Sequence, residues 1–560
     1  MCLFLAPPRD KSHLPSGEPA MLGLSFLVCS LSAAAVVSAS ALASPSVALD
    51  EAVFIGKRVN NTDQYLGIPF AQSPVGNLRF RLPQPLGTYQ GTHNATNFAS
   101  VCPQDISDVI GSGGASFLDA FSAAFSAIFP TPQVNQSEDC LYLDIYAPAG
   151  TKPGANLPVV MWITFGSFLW GGSPFYNGNV IVERSVQNHE PVILVAINHR
   201  LNAFGFLPGQ QAKDAGITNL GLRDQRQALR WIQQYIYQFG GDKSRVTIWG
   251  ANTGSISAAF QMLNNGGDSE GLFSGVWMHS GFPIPLNNYS ELQGTYDILV
   301  NQTSCQNSTD SLDCLRQLPF DELYEAMLAA PAAQRFGRWQ VVLDNDFIAE
   351  QPETLLQQGK IARVPFVVGC TQDEGTDGAL NLTSITTDNE TAAWLMEEGL
   401  PGVPMSAVEE IFALYPSDPA DGSPFDTGDL YAITPQYKRL SAIIGDIEYH
   451  SQRRFFLNHT AGHQGAWSFQ SKEFKFPYVG AIDLSDMLNI WGPGDLTDRL
   501  ASFVTHGNPN NGTGIDWPQW TISAPHQLNI QNDSSFTVEP DTFRAEGIDL
   551  LISLNIQFPE

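Results

Sequence analysis

Phe239-Gly240-Gly241-Asp242-Lys243-Ser244-Arg245-Val246-Thr247-Ile248-Trp249-Gly250-Ala251-Asn252-Thr253-Gly254 reads as a strand that turns sharply into a helix. Val246 to Trp249 carries the strand, glycines on either side allow a tight backbone turn, and Asn252 is the residue on show at its tip. Outward from this stretch, Val159 to Ile163 and Val192 to Ile197 are earlier strand-like runs, and Val276-Trp277-Met278-His279 is a later one. Between them, the segment beginning at Asn219-Leu220-Gly221-Leu222-Arg223-Asp224-Gln225-Arg226 places Ala228, Trp231, Ile232, Tyr235 and Ile236 on one helical face. Strands alternating with helices predict an α/β chain with a large, mostly parallel central sheet flanked by helices.

The 560 residues carry a formal net charge of −28 with only 15% charged residues, so acidic groups are thinly spread and no basic patch meets phosphates. Nucleic acid is excluded on that ground, and the charge reads as a solubility feature. Hydrophobic residues at 43% suffice for a large core. No repeat or linker interrupts the chain, so 44–560 is read as one domain with long excursions.

Leu22 to Val37 is an apolar run followed by small residues ending in Ala41-Leu42-Ala43, which reads as a leader and signal peptide over 1–43 and predicts secretion. Both Met1 and Met21 are open as the start. Without Cys2 and Cys29 the remaining cysteines pair economically as Cys102 with Cys140 and Cys305 with Cys314, leaving Cys370 as a buried thiol at a strand end. Glycosylation signals at Asn60, Asn94, Asn135, Asn288, Asn301, Asn307, Asn381, Asn389, Asn458, Asn511 and Asn532 agree with an extracellular chain. Nothing in the pattern suggests a metal, a cofactor or a membrane span.

Tyr65-Leu66-Gly67-Ile68-Pro69-Phe70-Ala71 and Ser137-Glu138-Asp139-Cys140-Leu141-Tyr142-Leu143-Asp144-Ile145-Tyr146-Ala147-Pro148 resemble signature phrases of the type-B carboxylesterases, the group holding cholinesterases and large fungal lipases. Later phrases such as Asp373-Glu374-Gly375-Thr376 extend the resemblance over the mature chain. It implies an α/β-hydrolase fold, with the opening stretch as the nucleophile elbow, G-x-S-x-G. Between Cys102 and Cys140, Phe117, Phe121, Phe125 and Ile128 recur at helical spacing. They make either a surface helix packed on the body or, as in the lipases the chain resembles, a lid-like insertion.

Against that pattern the site is changed. Asn252 stands where the serine belongs, and Asp483 where the histidine belongs in Gly480-Ala481-Ile482-Asp483-Leu484-Ser485-Asp486. The oxyanion loop reads Ile163-Thr164-Phe165-Gly166-Ser167-Phe168, with side chains at Phe165 and Ser167 where bare backbone is usual. Glu374 matches the retained acid, supported by Ser280, while Ala251 and His199 replace a Glu and a Tyr that face each other across the family's pocket. Phe165, Gly166, Ser167, Phe168, His199, Ala251, Thr253 and His279 are the candidate ligand-pocket residues. Loss of the nucleophile alone ends ordinary acyl transfer. The resemblance then implies a non-catalytic, secreted protein that binds an aromatic or apolar small molecule. In its most specific form it would resemble a dirigent protein, setting the stereochemistry of phenol coupling by a secreted laccase in fungal secondary metabolism. The alternative is a repurposed enzyme, a lyase, isomerase or cyclase using His199, Glu374 and Asp483. A hydrolase with a displaced nucleophile and an adhesion module are weaker readings.

Overall fold

Strands buried on both faces need near-continuous apolar sequence, and the runs read above become neighbours in one sheet on that account. The computed structural model describes residues 44–105, 117–129, 133–329, 339–510, 512 and 514–558. The leader and Asn511 lie outside the described residues. In chain order the strands are β1 (Ser46–Leu49), β2 (Glu51–Ile55), β3 (Lys57–Val59), β4 (Thr62–Pro69), β5 (Gln90–Asn94), β6 (Tyr142–Pro148) and β7 (Leu157–Ile163). They continue with β8 (Ile193–Ile197), β9 (Gly241–Ala251), β10 (Gly275–His279), β11 (Phe366–Thr371), β12 (Ala466–Ser471), β13 (His526–Ile530) and β14 (Phe536–Pro540).

The main sheet has 11 strands in the order β14-β13-β12-β11-β10-β9-β7-β8-β6-β4-β3, and β1, β2 and β5 form a small separate one. Pairing is parallel from β8 through β13 and antiparallel at both flanks. Every residue of β8, β10, β11 and β12 is buried. Helix Leu220–Tyr235 forms as its apolar face predicts, with Ala228, Trp231, Ile232 and Tyr235 buried against the sheet side.

One difference from the sequence reading has a local cause. β9 extends back to Gly241, because that residue pairs with Leu157 before a register irregularity restores Val159 opposite Val246. Cys370 stands next to last in β11, opposite Gln470, buried and outside any disulfide, as expected. The expected disulfides are both formed, Cys102–Cys140 and Cys305–Cys314. The described sequon asparagines are exposed except Asn288, which is half-buried. No described helix is long and apolar enough to cross a membrane.

Register sets the site. Ala251, His279, Gly369 and Phe469 lie opposite one another across β9, β10, β11 and β12, so the chain leaves four adjacent strands at one level. In open α/β sheets, ligand sites gather at this carboxyl edge.

Candidate active site

Asn252 follows β9 directly and opens the helix Thr253–Leu263, with backbone φ 48° and ψ −122°. That conformation is uncommon for a residue with a side chain and is held in place by its surroundings. Gly250 and Gly254 are required here: a Cβ on Gly250 would overlap the Gly254 backbone, and one on Gly254 would overlap the Ile163 carbonyl. Asn252 also donates its N–H to the His279 carbonyl at 2.8 Å. The elbow is therefore intact.

Both ends of the Asn252 amide are engaged. Its Oδ1 accepts the Thr253 backbone N–H at 2.7 Å, and its Nδ2 donates to Asp483 Oδ2 at 2.9 Å. Of the two ends of the amide only the oxygen can accept an N–H, so the first bond turns the nitrogen toward Asp483. In hydrolases of this fold the N–H following the nucleophile serves the oxyanion hole. Here it is occupied.

Asp483 is half-buried, and the buried Asp373 anchors its loop by accepting the Ala481 N–H at 2.9 Å. The Asp483 carboxyl is pushed up to about 8, by burial first and then by the negative charges of Asp486 and Asp377, while the Asn252 amide pulls the other way. Tyr449 OH stands 3.5 Å from the same Oδ2. Glu374 is buried, and its Oε1 accepts from Ser280 Oγ at 2.7 Å and from the Thr371 N–H at 2.6 Å. Burial, and then the charge of Asp483, push the Glu374 carboxyl well above the usual carboxylate range. Glu374 Oε2 and Asp483 Oδ1 are buried without a partner among the described residues. With both carboxyls raised by burial and Glu374 raised further by the charge of Asp483, the pair retains a proton near neutral pH.

The predicted pocket residues divide. Phe165 is buried in an aromatic cage, 5.6 Å from Phe125, 5.6 Å from Phe129 and 5.5 Å from Tyr176 between ring centres. Gly166 has φ +122°, and Ser167 and Phe168 also have positive φ. The Leu169 and Trp170 N–H groups both turn back onto the Gly166 carbonyl, which closes the loop on itself. Phe168 points into the core against Phe206, and Ala251 is fully buried. Thr253 is half-buried at the elbow.

His199 is corrected: no hydrogen bond or ion pair among the described residues joins it to Glu374, Asp483 or Ala251. Burial holds its ring neutral, down to about 3. His279 is likewise not in the pocket but fully buried in the sheet, its Nδ1 2.7 Å from Asp486 Oδ2. Asp486 and Tyr449 were missed by the sequence reading. Asp486 ends the very phrase that located Asp483, and that was the available signal.

The Phe-rich stripe forms the helix Asp119–Ile128, and it meets both sides of the site. Phe125 packs on Phe165, Phe121 lies 5.5 Å from Phe476, and Phe117 lies 4.7 Å from Tyr478. The stripe therefore packs as a helix on the body, against the oxyanion loop and the segment leading to Asp483.

Residues 43–398 match the Carboxylesterase family. Lipase 4 of Diutina rugosa is 36% identical over 519 residues, covering 88% of this chain and 92% of that protein. Secreted triacylglycerol lipase LIP1 of Gibberella zeae is 34% identical over 531 residues, covering 90% of each. Among solved structures, EstA of Aspergillus niger superposes with a TM-score of 0.77 at 24% identity, over 92% of this chain and 99% of that one, which shows the shared fold. These relatives correct the expectation of a chain without catalysis. Proteins 34% to 36% identical over nearly its whole length are named as lipases, and that finding overturns it. What the structure keeps of those relatives' site is the elbow, with its turn and flanking glycines intact around Asn252. The relatives named above give the stereocontrol role no support.

Proposed function

The chain belongs to the carboxylesterase family, and we propose that it is a secreted enzyme whose pocket works by proton transfer on an apolar, aromatic substrate, with Asp483 giving and taking the proton. The observation that carries this is the Asn252–Asp483 hydrogen bond at 2.9 Å, which fixes a carboxyl tuned to about 8 at the mouth of the old nucleophile turn. A group whose pKa lies near the working pH is both an available acid and a competent base, and such catalysis contributes roughly 10²–10⁴-fold. Glu374 is the second acid of the pair, and Asn252 holds Asp483 in one orientation. The reaction class is an isomerase, lyase or cyclase step that starts by moving a proton next to a polarised carbonyl.

Acyl transfer through residue 252 is disfavoured. An amide offers no hydroxyl, and the Thr253 N–H that would meet an oxyanion is spent on Asn252 itself. Phe125, Phe129 and Phe165 pack on one another beside the oxyanion loop, and this aromatic cluster next to the elbow supports an apolar or aromatic substrate. Secretion is supported by the two disulfides, the exposed sequons and relatives named as secreted.

The test is solvent exchange. The purified glycoprotein is incubated in deuterated buffer with a panel of aryl ketones and hydroxy-aryl ketones, and label at the carbon next to the carbonyl is read by mass spectrometry. Incorporation that is lost in Asp483→Asn supports the proposal. Absence of incorporation across the panel overturns it, as does Asp483-independent hydrolysis of aryl esters that persists through stringent purification.

A further inference from the structure

Moving a proton next to a carbonyl leaves negative charge on the carbonyl oxygen, and the donors around the old oxyanion site are engaged elsewhere. The Thr253 N–H is taken by Asn252, and the Leu169 and Trp170 N–H groups turn onto Gly166. The Asn252 amide nitrogen and the Ser280 hydroxyl are spent on Asp483 and Glu374. One hydroxyl at the site is different. Tyr449 is half-buried, and its 3.5 Å approach to Asp483 Oδ2 is the one hydrogen-bond contact of its OH among the described residues. An O–H···O bond prefers about 2.5–3.0 Å, so this hydroxyl stands beside the carboxyl without being committed to it. Catalytic hydrogen bonds are often long in a site without substrate and tighten when substrate binds.

The placement of Tyr449 is built into the packing. The helix Tyr437–Gly445 widens into a π-helical turn, Asp446–His450, and resumes as the helix Ser451–Thr460. Single π turns inside α-helices occur frequently at functional sites. The first residue of the turn, Asp446, is fully buried and accepts from the Tyr415 hydroxyl and from Arg544 Nε, both at 2.7 Å. The approach of this helix to Glu374 is fixed by a close crossing: a Cβ on Gly375 would overlap the Gly445 nitrogen and the Ser441 carbonyl. Asp483 comes from its own loop, anchored on Asp373, the residue before Glu374. The segment that carries Glu374 therefore holds both the turn of Tyr449 and the loop of Asp483.

We propose that Tyr449 is a catalytic residue of this site, its hydroxyl donating to the carbonyl oxygen of the substrate while Asp483 takes the proton from the neighbouring carbon. The inference rests on the reading of Asp483 as the proton carrier. In the step, the C–H bond breaks and its proton goes to the ionised Asp483 carboxylate. The C–H electron pair becomes a carbon–carbon double bond, and the carbonyl π pair moves to the oxygen, where the Tyr449 O–H meets it. Return of the proton to carbon restores both groups. Burial, and then the charges of Asp483, Glu448, Glu374 and Asp377, hold the Tyr449 phenol well above its usual range, so it stays a donor at neutral pH. An aspartate to move the proton and a tyrosine hydroxyl to hold the oxygen are a sufficient set for enolisation.

Two measurements on the full glycoprotein test this. In the solvent-exchange assay, Tyr449→Phe keeps the ring and is expected to lower kcat on the order of 10²–10³-fold with KM little changed, as loss of one oxyanion donor does. The second measurement needs no turnover. Ionised para-nitrophenol presents an aromatic oxyanion, nitrobenzene presents the same ring without it, and equilibrium dialysis reads the affinity of each. Tyr449→Phe should weaken nitrophenolate binding about tenfold or more and leave nitrobenzene unchanged. Equal weakening of both ligands would reveal a packing role and overturns the inference. So does a nitrophenolate affinity that is the same in the native and variant chains, undetectable binding included. Exchange that is lost in Asp483→Asn but kept in Tyr449→Phe overturns the inference and leaves Asp483 standing. Absent exchange with Tyr449-dependent nitrophenolate binding removes the proton carrier and leaves the hold of Tyr449 on the oxygen.

Discussion

The backbone N–H of Thr253 ends on the side chain of the residue before it, Asn252 Oδ1, at 2.7 Å. The turn thereby closes its own anion site. Rebuilding the family's groups with Asn252→Ser and Asp483→His should release that N–H and restore a nucleophile and base. Ester turnover is nevertheless expected to remain low. Leu169 and Trp170 donate inward to the Gly166 carbonyl, and Phe165 is locked among rings. Each missing oxyanion donor costs on the order of 10²–10³ in turnover. Aryl-ester kinetics on the double variant check this, and rates typical of a lipase would show that the loop opens after all.

Stability should fall as pH rises through the site's titration. Asp483 is raised from 3.8 to about 8, so between those values the folded chain holds a proton that the unfolded chain has released. The state that binds more protons loses ground as pH increases, so stability declines across that window and levels off above it. Asp483→Asn should flatten the decline without abolishing it, since Glu374 is raised as well. Melting temperatures measured over the window for both proteins decide the matter, with identical slopes counting against the assignment.

Gly254→Ala separates propensity from packing. Alanine in a helix is worth about 1 kcal/mol over glycine, which by itself predicts a gain. The added Cβ would overlap the Ile163 carbonyl in the middle of the sheet. Overpacking costs roughly 1–3 kcal/mol, so a net loss is expected. Denaturant midpoints at constant slope would reveal it, and a stabilised variant would show that the elbow relaxes freely.

Phe125→Ala should loosen two loops at once. The helix Asp119–Ile128 rests on Phe165 through Phe125 and on Phe476 through Phe121. Hydrogen exchange by mass spectrometry is expected to quicken both around 163–172 and around 476–491, with the core strands unchanged. Faster exchange in the first region alone would mean that the helix does not couple them.

Local pattern made the fold legible. Val159–Ile163, Val276–His279 and the amphipathic face of Leu220–Tyr235 announce their elements because burial on both faces, or on one stripe, must be written into the residues themselves. The spacing of glycines likewise located the elbow, and loop closure located the disulfides. The site was legible as positions and not as chemistry. That Asn252 would turn its nitrogen to Asp483 depends on a contact across 231 residues, and that His279 would sink beneath the site while His199 stood apart depends on the registers of separate strands. Reading absence of a serine as absence of catalysis is overturned by the relatives, named as lipases over nearly the whole chain, which no single residue of the elbow announces.

Ala251, His279 and Gly369 stand level across three neighbouring strands, and Asn252, Ser280 and the turn to Glu374 depart from that edge. The distances among the reacting groups are consequently ruled by the pitch of the sheet and not by the groups themselves. Side chains at such stations can be exchanged one at a time, amide for hydroxyl or acid for imidazole, while the coordinates stay put. A fold built this way can change its reaction without first having to change its shape.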